Sequence, residues 1–398
     1  MKALDDVRVL DLTHFYNGPY AALVLGFFGA QVIKIEPPEI GERARTIFPI
    51  PGVENESYPF VMLNSNKQGV TLNLKAPRGQ ELFKQLVKDA DVVVENFAVG
   101  VMDRLGLGWD ILKQINPRLV YATSTGYGQT GPYSTYPAFD PIVQAMSGLM
   151  SATGSPDSPP TKAGAPIMDI LGGIHFATGI ILALRHRDRT GEGVLMETSL
   201  YESAIGPVAS LIAAYLGQGE TYERAGNSAP GHIFSPYNCY PTQDGYVLLL
   251  TVDNQRWRAL CTLMEREELS NDPKFATTAA RSTHWEEIDA IVSAWTKQNT
   301  KQDIMERCSA VGLTCGVVKE VAELLSDPHL RARGTLQDIR HPTAGTVPIP
   351  GPPWRLNGEQ PSIDAPSPTL GQHNELVYGT LCGLSEEEMT QLKEDGVI

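Results

Sequence analysis

The sequence has few cysteines and no Cys-x-x-Cys pair: Cys239, Cys261, Cys308, Cys315 and Cys382 are scattered and odd in number. Neither a disulfide framework nor a zinc site is indicated, and buried free thiols are expected. The eight histidines never stand four apart, so no helix presents two imidazole ligands on one face and no metal is expected. Long apolar runs are missing too. The longest candidate, Ile170 to Leu184, is interrupted by His175 and is too short to cross a bilayer. Met1 to Val7 carries two acids before the first apolar run and lacks the shape of a secretory leader, so a cytoplasmic protein with no membrane partner is expected. Positive charge is scarce: 32 Lys and Arg against 46 Asp and Glu give a net charge of -14, which argues against nucleic acid as a partner.

What is present is the pattern of a large globular chain. With 398 residues, 42% hydrophobic, 37 Gly and 29 Pro, more than one domain and a sizeable core are expected. Val7 to Leu12 and Gln31 to Glu36 are strand-like runs on either side of an apolar helix from Gly18 to Gly29. A helix over Pro77 to Ala90, a strand over Asp91 to Glu95, a helix over Trp109 to Ile115 and a strand over Arg118 to Ser124 continue the alternation. This spacing predicts an α/β fold with a Rossmann-like parallel sheet covered on both faces, its ligands at the carboxyl ends of the strands. The turn Thr13 to Pro19 lacks Gly-x-Gly-x-x-Gly spacing, so a nicotinamide cofactor is not expected. Residues 1–120 hold 13 basic and 14 acidic groups, the remainder 19 and 32. A polyanionic ligand is therefore repelled least by the N-terminal part.

Asp169 stands apart from its surroundings. Gly164-Ala-Pro-Ile-Met-Asp169 leads into the apolar run ending at Leu184, which puts one carboxylate at a helix start. There it serves as an N-cap, or as a nucleophile kept ionised by unpaired N–H groups and the helix dipole. The residues alone leave both open. Thr125 to Pro132 is a Gly-rich loop, and Asp140 caps a helix reaching Ser151. Beyond Asp169, Arg185 to Gly193 is a basic helix end closed by glycine, Val194 to Thr198 a strand, and Leu200 to Leu216 one long helix. The Gly226 to His232 turn marks a boundary, followed by a strand at Tyr246 to Thr251 and helices near 254–264, 285–297 and 301–311. Eight prolines between His341 and Pro368 predict an extended arm, and Ser385-Glu-Glu-Glu388 opens a last helix with a capping box. The expected organisation is a large domain beginning with residues 1–205, a linker helix over 206–225, a small α+β domain over 226–328, and a return to the large domain over 329–398.

Several segments occur together and in order: Val9-Leu-Asp-Leu-Thr13, Gly18-Pro19, Gly29-Ala-Gln-Val-Ile-Lys-Ile-Glu36, Asn66-Lys67, Asp91-Val-Val-Val-Glu-Asn-Phe97, Asp103-Arg-Leu-Gly106, Gly126-Tyr-Gly-Gln-Thr-Gly-Pro132, Asp169 and Arg189-Thr-Gly-Glu-Gly193. In this combination the chain resembles the class III CoA-transferases, the formyl-CoA transferase and carnitine CoA-transferase family. The resemblance implies that Asp169 is the nucleophile, passing through a mixed anhydride and an aspartyl-CoA thioester. It implies no tightly bound cofactor, with coenzyme A and acyl-CoA as substrates, and an interlocked homodimer. The active-site candidates are His14, Phe15 and Tyr16, together with Gly226, Asn227, Gly231 and His232 in the turn that matches the family's mobile lid.

For CoA the resemblance points to Asn96, Phe97 and Arg104, with Lys75 and Arg45 as candidates for the phosphates. Pro37 replaces the family's arginine after the second strand. Arg43, Arg45, His14 and His232 are candidates to neutralise a second carboxylate, so the acceptor expected is a small dicarboxylate such as succinate, malate, mesaconate or an aryl succinate, with transfer within one acid also open. Two other functions compete. An α-methylacyl-CoA racemase needs a second proton carrier, and its histidine aligns with Phe139, which also borders the CoA site. A non-catalytic acyl-CoA-binding subunit has no use for Asp169.

Overall fold

The computed structural model describes residues 2–219 and 223–398. Two compact units make up the chain: Met1–Ser147 with Ala163–Gly206 and Leu325–Ile398, and Gly148–Lys162 with Pro207–Leu324.

In the first unit six parallel strands form one sheet: β1 (Arg8–Asp11), β2 (Gln31–Glu36), β3 (Lys67–Thr71), β4 (Val92–Glu95), β5 (Val120–Thr125) and β6 (Val194–Ser199), in the order β3-β2-β1-β4-β5-β6. Leu10 stands opposite Ile33 on one side and Val93 on the other. Its helices up to residue 206 are α1 (Asn17–Phe27), α2 (Tyr58–Leu63), α3 (Pro77–Val87), α4 (Val101–Arg104), α5 (Trp109–Ile115), α6 (Asp140–Met146), α7 (Ile167–Thr190) and α8 (Leu200–Ser203). Successive strand residues point to opposite faces. Leu10, Ile33, Val70 and Val93 therefore pack with Phe83 of α3 and Leu112 of α5. Val9, Val32, Val92 and Val94 pack with Val24 of α1 and Phe176 and Ile180 of α7. With both faces covered, strands become near-continuous apolar runs, which is why they are legible.

The central helix ends at the basic, glycine-closed turn expected from the sequence. α7 covers 24 residues because Arg187 and Arg189 suit the negative end of its dipole and Gly191, at φ 81°, closes it. By length and composition it is the one helix among the described residues able to cross a membrane. Here its buried face carries Phe176, Ala177 and Ile180 into the sheet core. Glycines decide how near it comes to α1: a Cβ on Gly173 would lie 2.7 Å from the Asn17 carbonyl oxygen, and one on Gly172 2.6 Å from Leu200. Only backbone fits there, so the second turn of α7 lies against the start of α1.

The helix expected over Leu200 to Leu216 is broken. α8 stops at Ser203 and the next helix, α9 (Ala209–Gln218), starts beyond Gly206-Pro207, since proline removes a helical N–H. α9 falls in the second unit, and residues 220–222 of the expected linker lie outside the described residues. The second unit holds the antiparallel sheet β7 (Tyr237–Pro241), β8 (Tyr246–Leu250) and β9 (Thr314–Val317), with helices α10 (Asn254–Leu263), α11 (Thr278–Thr283), α12 (Trp285–Thr296) and α13 (Lys301–Ala310) around Trp257, Leu260, Ile288 and Val292.

Part of the proline-rich segment is a hairpin, β10 (Leu336–His341) with β11 (Gly345–Pro350), and not an extended arm throughout. A two-stranded sheet is all edge, so Pro348 and Pro350 are tolerated in β11. The chain then returns to β3. The Gly69 N–H donates to His373 Nδ1 at 3.0 Å and the Tyr378 hydroxyl to the Thr71 carbonyl at 2.7 Å.

Candidate active site

Asp169 is the third residue of α7, behind Pro166 at the N-cap position, so it is not the cap. That work is done from another element. Asp140, at the start of α6, accepts the N–H groups of Met168 at 2.6 Å and Asp169 at 3.1 Å through one carboxylate oxygen. Its other oxygen accepts from Gln144, which in turn accepts the Ala163 N–H at 2.9 Å. Asp140 thus consumes the donors that were expected to ionise Asp169. The Asp169 side chain is half-buried and makes no hydrogen bond among the described residues; its backbone carbonyl accepts from Asn17 Nδ2 at 3.3 Å. Burial, and then the Asp140 charge, raise its pKa to about 7. The expectation of a carboxylate held ionised by the helix dipole is corrected: two acids share one helix start, and the one without donors holds its proton longer.

The loop from β1 to α1 carries His14, Phe15 and Tyr16. The Tyr16 hydroxyl is held above its ordinary pKa by burial and then by the Asp169 charge, so these two groups feel each other. Phe15 takes φ 62°, a left-handed conformation unusual for a bulky side chain. Its ring meets that of Phe139 edge to face, with centroids 6.0 Å apart. Phe139 immediately precedes Asp140 and is 58% exposed. His14 packs edge-on to Phe97, with centroids 4.8 Å apart. Burial and Lys34 push its pKa down to about 4, so it is a neutral hydrogen-bonding group and does not supply charge against a carboxylate.

The basic residues expected to meet phosphates fare unequally. Arg45 is corrected outright. It is buried, lies over the Phe60 ring, and uses all its donors: Nε and Nη2 on Glu36, Nη1 on Glu56 and the Asn55 carbonyl, Nη2 again on the Pro368 carbonyl. No N–H is left for a ligand. Replacing it by methionine strands two buried carboxylates, and urea denaturation should show a loss of about 3–5 kcal/mol. The acyl-CoA KM of the folded fraction should not move.

Lys75, Arg104 and Arg43 are exposed and make no ion pair among the described residues. Asn96 is committed to the fold, because its amide takes the His14 N–H at 2.8 Å and donates to the His14 carbonyl at 3.0 Å. Phe97 is half-buried, with its N–H on Glu95 at 2.7 Å.

Gly226, Asn227, Gly231 and His232 belong to the second unit. Gly226 and Asn227 are exposed, and Gly226, Gly231 and His232 have positive φ. The Gly226 N–H donates to the Gly154 carbonyl at 3.0 Å, while the His232 ring stacks on Trp285 at 3.9 Å. Among the described residues no three His, Cys, Asp or Glu side chains gather as metal ligands.

Known proteins resemble this chain along its length. The model of CoA-transferase family III matches residues 4–374. A succinyl-CoA–D-citramalate CoA-transferase of Chloroflexus aurantiacus is 37% identical over the whole chain and 98% of its own length. A formyl-CoA:oxalate CoA-transferase of Streptomyces coelicolor is 36% identical over the whole chain and 99% of its own length. The crystal structure of a CAIB/BAIF family protein from Brucella suis superposes with a TM-score of 0.87 at 34% identity, covering 96% of this chain and 99% of that one. The chain belongs to CoA-transferase family III and is a CoA-transferase.

Proposed function

We propose that the enzyme moves CoA from an acyl-CoA, such as succinyl-CoA, to a small dicarboxylic acid through covalent links on Asp169. The observation that carries this reading is the Asp169 carboxyl itself: half-buried, free of hydrogen bonds among the described residues, and fixed in the first turn of a long core helix. An Asp169 oxygen attacks the thioester carbonyl and the CoA thiolate leaves, giving a mixed anhydride. The thiolate then attacks the Asp169 carbonyl, releases the donor acid and leaves an aspartyl-CoA thioester. The acceptor carboxylate repeats both steps in reverse, which restores the Asp169 carboxylate. Storing the acyl activation on the protein divides one difficult exchange into easier ones.

The acceptor class rests on the relatives that act on citramalate and oxalate and on Arg43, exposed and near enough to His14 to depress its pKa. Its fork suits the far carboxylate of a dicarboxylic acid. A racemase would need a proton carrier opposite Asp169, and Phe139 is none. Phosphate contacts from Lys75 and Arg104 belong to the same proposal. A homodimer is favoured by the exposed Ile174, Ile181 and Leu182 on α7 and Leu195 on the edge strand β6.

Succinyl-CoA incubated with citramalate, malate, mesaconate, glutarate and oxalate should yield the CoA ester of at least one of them. Hydrolysis alone, or exchange of an α-hydrogen without CoA transfer, would contradict the proposal.

A further inference from the structure

Beneath the β1–α1 loop lies a cluster of buried charges that the chemistry above does not use. Asp11, Lys34, Glu42 and Lys67 are all buried. They hold the loop by its backbone. Asp11 Oδ1 accepts both the N–H of Thr13, at 2.9 Å, and its hydroxyl. Lys34 Nζ donates to the Thr13 carbonyl and sits 3.4 Å from Glu42. Glu42 Oε2 accepts the Phe15 N–H at 2.9 Å, and Lys67 donates to Asp11 at 2.8 Å and to the Pro19 carbonyl at 3.0 Å. Asn96 brackets His14 between them.

Such a cluster is costly. Burial opposes every one of these charges, and a hydrophobic plug is often the more stable solution. Glu42 Oε1 and His14 Nδ1 are even left buried without a hydrogen-bond partner. The result is a loop of irregular backbone locked residue by residue, with Phe15 kept at φ 62°, where a bulky side chain is strained. Tyr16 follows it, next to Asn17, whose Nδ2 donates to the Asp169 carbonyl at 3.3 Å.

We propose that Glu42 and Lys34 are positioning residues: through the Phe15 N–H and the Thr13 carbonyl they hold the strained loop that sets Tyr16 beside the nucleophile. This rests on the functional assignment of Asp169. Charge agrees with it. His14 faces Lys34 and Arg43, which lower its pKa, and Asp11 and Glu36, which raise it; with burial the balance keeps the ring neutral. Lys34, against burial, is kept charged by Asp11, Glu42 and Glu36.

A double-mutant cycle tests the idea. In the wild-type background Glu42→Ala should lower kcat about 30-fold while the KM for the acyl-CoA moves less than about 3-fold, because a small misplacement penalises the reacting geometry most. In a Phe15→Gly background, where glycine accepts φ 62° without strain, the same substitution should cost less than about 5-fold. Equal factors in both backgrounds, or no loss in a folded Glu42→Ala protein, would overturn the proposal. If Glu42→Ala does not fold, Glu42→Gln takes its place, with a coupling of about 3-fold expected and none overturning it. Wild-type protein that transfers no CoA would instead overturn the assignment of Asp169's chemistry.

Discussion

Replacing Asp169 by alanine is expected to lower CoA transfer by at least roughly 10³-fold, the scale seen when a covalent nucleophile is removed. The loss should fall on kcat, and KM for the acyl-CoA should barely change, since the carboxyl supplies little ground-state binding. The asparagine variant adds a second, independent effect. Burial and Asp140 raise the Asp169 pKa from 3.8 to about 7, so the folded state binds this proton more tightly than the unfolded chain. The associated stabilisation is complete below the unfolded value and is lost as pH rises through about 7. Asparagine does not titrate. At pH 8 Asp169→Asn should therefore melt about 2–4 °C higher than wild type, and at pH 4 the advantage should be gone. A protein that is stabilised while its activity collapses identifies a residue kept for chemistry and not for folding.

Asp140→Asn should move the pH dependence of transfer. Ionised Asp169 is the attacking form, so wild-type activity should fall on the acid side of about pH 7. Removing the neighbouring negative charge lowers that pKa, although burial, the larger cause, remains. Relative to its own plateau, the variant should be about 3- to 5-fold more active at pH 6 than wild type. It should also be less stable. An asparagine oxygen can still take the Met168 and Asp169 N–H groups, but its amide nitrogen then faces the Gln144 amide nitrogen, which now donates to Asp140. Two donors facing each other cost about 1–3 kcal/mol. If the acid limb stays where it is, the interaction between the two acids has been misassigned.

The parts of the fold that were legible are those where burial and pattern coincide. β1, β2 and β4 are marked by Val9-Leu10, by Val32-Ile33 with Ile35, and by Val92 to Val94, consecutive apolar residues that feed the cores on both faces of the sheet. β3 is hard to read for the opposite reason: its first residue, Lys67, is buried to meet Asp11, Asn64 and the Pro19 carbonyl, so a lysine stands where a strand should be apolar. The role of Arg45 is hidden in the same way. A lone arginine is usually solvent-exposed, and nothing local announces that Glu36 and Glu56 close around it. Asp169 itself is conspicuous, yet helix-start rules give its pKa shift the wrong sign, because the residue that takes its helix donors is 29 positions away in sequence. Local rules predict helices and strands; charges that meet through the fold are not local.

The central claim is that Asp169 becomes covalently acylated. Wild-type enzyme mixed with succinyl-CoA, quenched with hydroxylamine, digested and analysed by mass spectrometry should show Asp169 converted to its hydroxamate. The conversion should depend on the thioester and be absent from the Asp169→Asn variant. Steady CoA transfer with Asp169 unmodified, or a hydroxamate on another carboxylate, would contradict the account.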